Sequence, residues 1–132
     1  MYNITSPRAD DSAIEAEIQA KGKTAPRITP ADLQANIAKE VYFTAADGIA
    51  GASIGFGGVQ QGVNTEHTLL TFCVLTLRNG FTVTGESACA SPENFDAEIG
   101  RKIARDNAVN KVWPLMGYEL RSKLAGTGAT HE

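Results

Sequence analysis

The chain has 132 residues, 42% of them hydrophobic and 20% charged, with a formal net charge of −3. That length suits one domain, residues 1–132, with a sizeable core, and the acidic balance argues against DNA or RNA as partner, since long phosphate backbones call for a net basic surface. There is no long apolar run, so no membrane span is expected, and the polar start MYNITSPRADD lacks the apolar centre of a signal peptide. A cytosolic protein is the expectation. Cys73 and Cys89 form no CxxC pair and read as buried thiols in a reducing compartment.

Residues 1–10 read as a loose end. Asp11-Ser12 opens a short helix through Ile14 and Ile18, closed by Gly22. The segment Thr24 to Arg27 breaks the pattern. Thr29-Pro30-Ala31-Asp32 starts a second helix, with Thr29 as cap, Pro30 at the first position and Asp32 completing a capping-box-like pair. Leu33, Ile37 and Val41 follow at helical spacing, which extends this helix to about Glu40. Tyr42 to Thr44 then enters extended chain. Residues 48–64 carry glycines at 48, 51, 55, 57, 58 and 62 and read as a mobile loop or inserted hairpin. No Gly-Lys-Ser/Thr follows and the GxGxxG spacing fails, so this is no phosphate loop.

Thr68 to Thr76 is rich in strand formers. Asn79-Gly80 predicts a type I′ hairpin turn, because both central residues of that turn need positive φ, and Phe81 to Thr84 returns as a second strand. Ser91-Pro92 predicts a helix start. That helix runs to about Val112, roughly 30 Å at 1.5 Å per residue, and Pro114 ends it; Leu115 to Leu124 form a last short helix and 126–132 a tail. The expected fold is α+β: a small antiparallel sheet built on the hairpin, N-terminal helices and a long C-terminal helix. That helix has an apolar stripe of Phe95, Ile99, Ile103 and Val109 and a small-residue stripe of Ala97, Ala104 and Ala108. A helix apolar on two sides is sandwiched, with the alanine face covered either by a second subunit or by the N-terminal helices.

The inventory for catalysis is thin. The histidines are His67 and His131, and His67 beside Glu66 has no second ligand at metal spacing. Gly85-Glu86-Ser87-Ala88-Cys89 begins like a nucleophile elbow but lacks the final glycine and a following base. A binding protein with no metal and no cofactor is expected rather than an enzyme. A phosphorylated nucleoside needs a ring to stack on, cations for phosphate and acceptors for hydroxyls. Phe81 is either a stacking platform or a core residue. Arg101 and Arg105 at i and i+4 either grip a diphosphate together or form a solvated face paired with Asp106 and Glu98. Arg27, after Pro26, is a further cation, and Thr84, Glu86 and Asn94 are hydroxyl or base-edge partners. Glu93 and Asp96 repel a phosphate from the helix tip, which moves its expected place towards the arginines.

The block Leu75–Arg121 (LTLRNGFTVTGESACASPENFD…) resembles a family of small phage and prophage accessory proteins, and Thr24–Gly48 is similar to the front half of that family. Together these cover about half of the chain. Within or near the family, the chain resembles the first class of Thoeris anti-defence proteins. The resemblance implies a sponge that binds a cyclic ADP-ribose-type nucleotide, made by bacterial TIR enzymes, in the host bacterial cytoplasm and withholds it uncleaved. It implies a homo-oligomer, a dimer or a ring of dimers up to a hexamer, with the pocket at the subunit interface, and cyclic di- or trinucleotides of CBASS defence as a second ligand class. Phe81, Asn94, Arg27 and either Arg101 or Arg105 are the pocket residues it implies. Two other readings stand beside it: an early phage protein that inhibits a host protein by direct contact, and a hydrolase or lyase acting on such nucleotides.

Overall fold

The computed structural model describes residues 11–23, 25–55 and 64–128. The elements in order are α1 (Asp11–Ala20), α2 (Pro30–Ala35), β1 (Ile37–Thr44), α3 (Ala45–Gly55), α4 (Thr65–Thr68), β2 (Leu70–Leu77), β3 (Thr82–Ala88), a 3-10 turn (Pro92–Asn94) and α5 (Ala97–Gly128). The strands form an antiparallel meander in the order β1-β2-β3, so the fold is α+β, with N-terminal helices and a long C-terminal helix around a small sheet. The loose end at 1–10, residues 56–63 of the glycine-rich stretch, and His131 in the tail lie outside the described residues.

Alternation sets the sheet's two faces. Thr71, Cys73, Leu75 and Leu77 of β2, with Val83, Gly85 and Ser87 of β3, are buried towards α5. Lys39, Val41 and Phe43 of β1 pair with Thr76, Val74 and Phe72 on the opposite face, where Thr82, Thr84 and Glu86 of β3 also lie. The core joins Leu33 of α2, the inward residues of β2 and Val83 to Ala104, Ala108, Val109, Val112 and Met116 of α5.

Several local expectations are revised. The second helix stops at Ala35, and Ile37 and Val41 belong to β1: both are β-branched, and β1 gains a full ladder with β2. A helix as short as α2 is not stable alone. It is held by its capping box, in which Thr29 and Asp32 exchange bonds of 2.9 and 3.0 Å, worth about 1 kcal/mol, and by Leu33, 1% exposed, worth about 1.5–3 kcal/mol. Residues 48–55 are helical within α3 rather than a loop. Thr44 and Asp47 make a second reciprocal box at 2.9 and 3.1 Å, which starts a helix despite the glycines that follow.

The hairpin is not type I′. Gly80 donates to Leu77 O at 2.9 Å and Leu77 donates to Phe81 O at 2.8 Å. Gly80 has φ +90, while no described non-glycine residue has positive φ. Arg78-Asn79-Gly80 is therefore a three-residue loop, a turn closed by a left-handed glycine.

Ser91-Pro92 opens only the 3-10 turn; α5 begins after Asp96, whose Oδ1 accepts from Ile99 N–H at 3.0 Å. α5 also runs through Pro114 to Gly128 instead of breaking. An interior proline costs about 3 kcal/mol, but Val112 and Met116 around it are 0% and 8% exposed, and burial of about 1.5–3 kcal/mol each offsets that.

The alanine stripe has a different partner from either one expected. Ala104 and Ala108 are 0% exposed because they face the chain's own β3. A Cβ built on Gly85 would stand 2.2 Å from Ala104 O and 2.3 Å from Ala108 N. Gly85 thus serves the close packing of α5 on β3. Ile99, on the other stripe, is 45% exposed.

Backbone atoms of α5 cannot yield to a methyl group as a flexible side chain would. Gly85→Ala is expected to lower stability by about 1–3 kcal/mol or more, read as a fall in thermal or urea midpoint, while Gly117→Ala, with nothing within 4 Å of its added Cβ, leaves the midpoint unchanged or raises it.

Candidate ligand-binding site

Among the clefts on the described surface, three are prominent. The largest, about 660 Å³, lies between α2, the β2–β3 loop and the second half of α5, and is lined by Asp32, Ala35, Asn36, Leu77, Arg78, Asn79, Phe81, Leu115, Met116 and Glu119. Arg78 ties its floor together: Nε donates to Ala35 O at 2.6 Å and the backbone N–H to Asn36 O at 3.0 Å. Phe81 is 56% exposed, so its ring belongs to the cleft wall and not to the core. A second cleft of about 110 Å³ lies at the far end of the sheet, lined by Tyr42, Phe43, Thr44, Asp47, Thr71, Phe95, Ala97 and Arg101. The third, about 290 Å³, sits under α1 between Ile14, Ile18, Ile28, Pro30 and Trp113.

The candidate residues are distributed, not gathered. Phe81 lies in the largest cleft and Arg101 in the one at the opposite end of β3, about 20 Å away at 3.4 Å per residue. Thr84 and Glu86 are exposed on the sheet face turned away from α5. Asn94 ends the 3-10 turn, exposed, its N–H donating to Ser91 O at 2.9 Å. The remaining two arginines are engaged. Arg27 forms a two-pronged pair with Glu15, both bonds 2.7 Å. Arg105 donates from Nε to Glu40 at 3.0 Å and from Nη2 to Gln34 at 2.7 Å. Arg101 makes no ion pair among the described residues, which distinguishes it from its i+4 neighbour.

The Arg105 cluster reaches the sheet. Tyr42 Oη donates to Glu40 Oε1 at 2.8 Å, and Tyr42 pairs with Cys73 across the strands. Hydrogen bonds from Arg105 hold the Glu40 carboxyl below the usual carboxylate range. Burial, then the contact with Glu40, raises the Tyr42 hydroxyl well above the usual phenol range. Burial likewise pushes the Cys73 thiol up, so it stays protonated. Cys89, 4% exposed, donates from Sγ to Ser91 O at 3.2 Å. His67 lies in α4, and its Nδ1 accepts from Asn64 N–H at 3.0 Å. Among the described residues no three metal-ligating side chains come together, and no helix is long and apolar enough to cross a membrane.

Sequence reasoning missed Arg78, Asn36 and Asp47 as cleft residues. Arg78 sits beside the Asn-Gly turn, and a one-residue longer loop aims its backbone at Asn36. Asp47 was legible as the second T-x-x-D box.

The model of the phage protein (N4 Gp49/phage Sf6 gene 66) family matches residues 28–124, well over half of the chain. The chain belongs to this phage family. The match takes in α2, the whole sheet and most of α5, and leaves out α1. No curated protein and no solved structure matches.

None of α1's residues is buried; the Glu15–Arg27 pair ties it to the segment ahead of α2, beside the apolar cleft of Ile14, Ile18, Ile28 and Trp113. Arg27's hydrogen bonds, then Gln19's, hold the Glu15 carboxyl down at about 2 against its ordinary 4.5. A depressed carboxyl contributes its stabilisation fully above pH 4.5 and loses it as pH falls through about 2. Protection of α1 amides, taken relative to the intrinsic exchange rate at each pH, is therefore expected to be full above about pH 4.5 and to fall progressively from there to about pH 2, and Glu15→Gln is expected to show the lowered protection already at neutral pH.

Proposed function

We propose that this protein binds a cyclic ADP-ribose-type signalling nucleotide and sequesters it without cleavage, as a phage countermeasure to bacterial defence. Membership of the phage family supports the setting, and the chain's resemblance, within or near that family, to the first class of Thoeris anti-defence proteins supports the ligand. The observation that carries the reading is Phe81: an aromatic ring 56% exposed on the wall of a cleft of about 660 Å³, a volume ordinary for small-molecule sites. An exposed ring on a cleft wall offers a stacking face, and a nucleobase gains about 1–3 kcal/mol by using it.

Charge orients the ligand. Asp32 and Glu119 line the Phe81 cleft, so a diphosphate is repelled there while a base is not. Arg101, exposed and without an ion pair among the described residues, lies in the other cleft, so it serves the phosphates of a ligand stacked on Phe81 only across a contact between two copies, the homo-oligomer that the resemblance implies.

The test is capture and release. Protein incubated with the cyclic nucleotide and freed of excess is expected to yield intact nucleotide on heat denaturation. Absence of uptake, or recovery of a linear product, overturns the reading. Phe81→Ala is expected to weaken binding ten- to hundredfold with an unchanged melting temperature, since an exposed ring contributes little to the core. Arg101→Ala is expected to weaken binding more than Arg105→Ala, and Arg105→Ala is expected to lower the melting temperature instead.

A further inference from the structure

α1 rests on the rest of the protein without filling its seat. Asp11, Ile14, Glu15 and Ile18 share one face of the helix, at i, i+3, i+4 and i+7, and that face looks onto Ile28, Pro30 and Trp113. Between the two surfaces a cleft of about 290 Å³ stays open. Ile14 lines this cleft and is still 47% exposed, and no residue of α1 is buried. Two isoleucines over an apolar floor thus gain only part of what full burial gives.

Charge fixes where the helix lies. Arg27 donates two bonds of 2.7 Å to the Glu15 carboxylate, and Gln19 donates a third at 3.0 Å. A guanidinium fork on a carboxylate is directional, so it sets both the position and the tilt of a helix along the groove. At 10 residues α1 is too short to be stable alone, and it is ordered only while seated. The family model matches residues 28–124, so the floor of Ile28, Pro30 and Trp113 belongs to the shared family unit and the helix above it does not.

We propose that this groove is a docking surface for an amphipathic helix of another protein, with α1 as its displaceable placeholder. The seat defines the partner. It carries an acidic side chain for the Arg27 fork, with an apolar side chain larger than isoleucine one residue before it and another three residues after it. Such a helix makes every contact α1 makes and also fills the volume that Ile14 and Ile18 leave open. It therefore replaces α1 by differential affinity, with the sheet and α5 unchanged. The groove shares no lining residue with the Phe81 cleft, so this surface stands independently of the nucleotide reading.

Trp113 is the only tryptophan of the chain, and its emission reports the groove directly. The probes are peptides of residues 11–23: the native sequence, a version with Ile14→Phe and Ile18→Phe, and that version with Glu15→Gln added. They are titrated into the full unmodified chain and into the full Glu15→Gln chain, whose resident helix has lost its carboxylate and whose Arg27 is free. Because α1 contributes no buried residue, this variant is expected to keep its melting temperature.

Glu15→Gln is expected to shift the Trp113 emission to longer wavelength, and the diphenylalanine peptide to reverse the shift. That peptide is expected to bind the Glu15→Gln chain about tenfold more tightly than the unmodified chain, since its competitor is loosened. It is also expected to bind about fivefold more tightly than either other peptide, which lacks the larger side chains or the carboxylate. In the unmodified chain, saturating peptide is expected to remove the hydrogen-exchange protection of α1. An emission unchanged by Glu15→Gln, or α1 amides that stay protected under excess peptide, overturns the proposal. A Glu15→Gln peptide that binds as tightly as its parent reduces the cleft to a slot for any apolar group and overturns it too. A Glu15→Gln chain that regains the original emission at high protein concentration without peptide assigns the groove to a second copy, with the same result.

Discussion

Everything in this fold is arranged around the contact of α5 with β3 at Gly85. Backbone meets backbone there, with Ala104 and Ala108 one helical turn apart on the helix and Gly85 between Val83 and Ser87 on the strand. A separation that short admits no side chain larger than hydrogen at the strand and none larger than methyl at the helix. Ser87 Oγ, on the same buried face of the strand, has no hydrogen-bond partner among the described residues, a state that costs about 1–3 kcal/mol. Because the helix is drawn over the edge strand, the space beneath β1 is left for α2, and Leu33 fills it.

What was legible in the sequence is what depends on neighbours along the chain. The T-x-x-D box at Thr29 marked α2, and Gly22, at φ +67, marked the end of α1. The Asn-Gly pair marked the hairpin, though not its loop type, since the inserted Arg78 changes which residue must be left-handed. An identical signal at Thr44 to Asp47 went unread because the glycines behind it pointed to a loop. Spacing misled at Leu33, Ile37 and Val41: three apolar residues four apart fit a helix, yet a strand pair was available to the last two. Proline misled at 114, where core burial on both sides outweighs a missing hydrogen bond.

The candidate site was legible in residue type and illegible in occupancy. Three arginines stood as candidate phosphate ligands, Arg101 and Arg105 as a pair and Arg27 as a further cation. Two are claimed by carboxylates 12 and 65 residues away, and no local pattern encodes such distances. Arg105 in particular is a structural tie, binding α5 to both β1 and α2 through Glu40 and Gln34. The Phe81 ring resolves the other way: its exposure makes it surface rather than core, at the opposite end of the sheet from Arg101. The exposed ring and the cation without an ion pair among the described residues lie in clefts at opposite ends of the sheet.

One capping box precedes β1 by the length of α2, and a matching one stands at its last residue. Thr29 with Asp32 fixes where α2 begins, just ahead of the strand, and Thr44 with Asp47 fixes where α3 begins, at its last residue. Sliding β1 by one residue would turn Glu40 and Tyr42 to the wrong face, and it would have to drag or unwind a capped helix at each end. β1 is thus an edge strand with fixed stops, a ruler whose length is written in two four-residue words, and misregistered forms of the sheet are blocked locally before the core is complete.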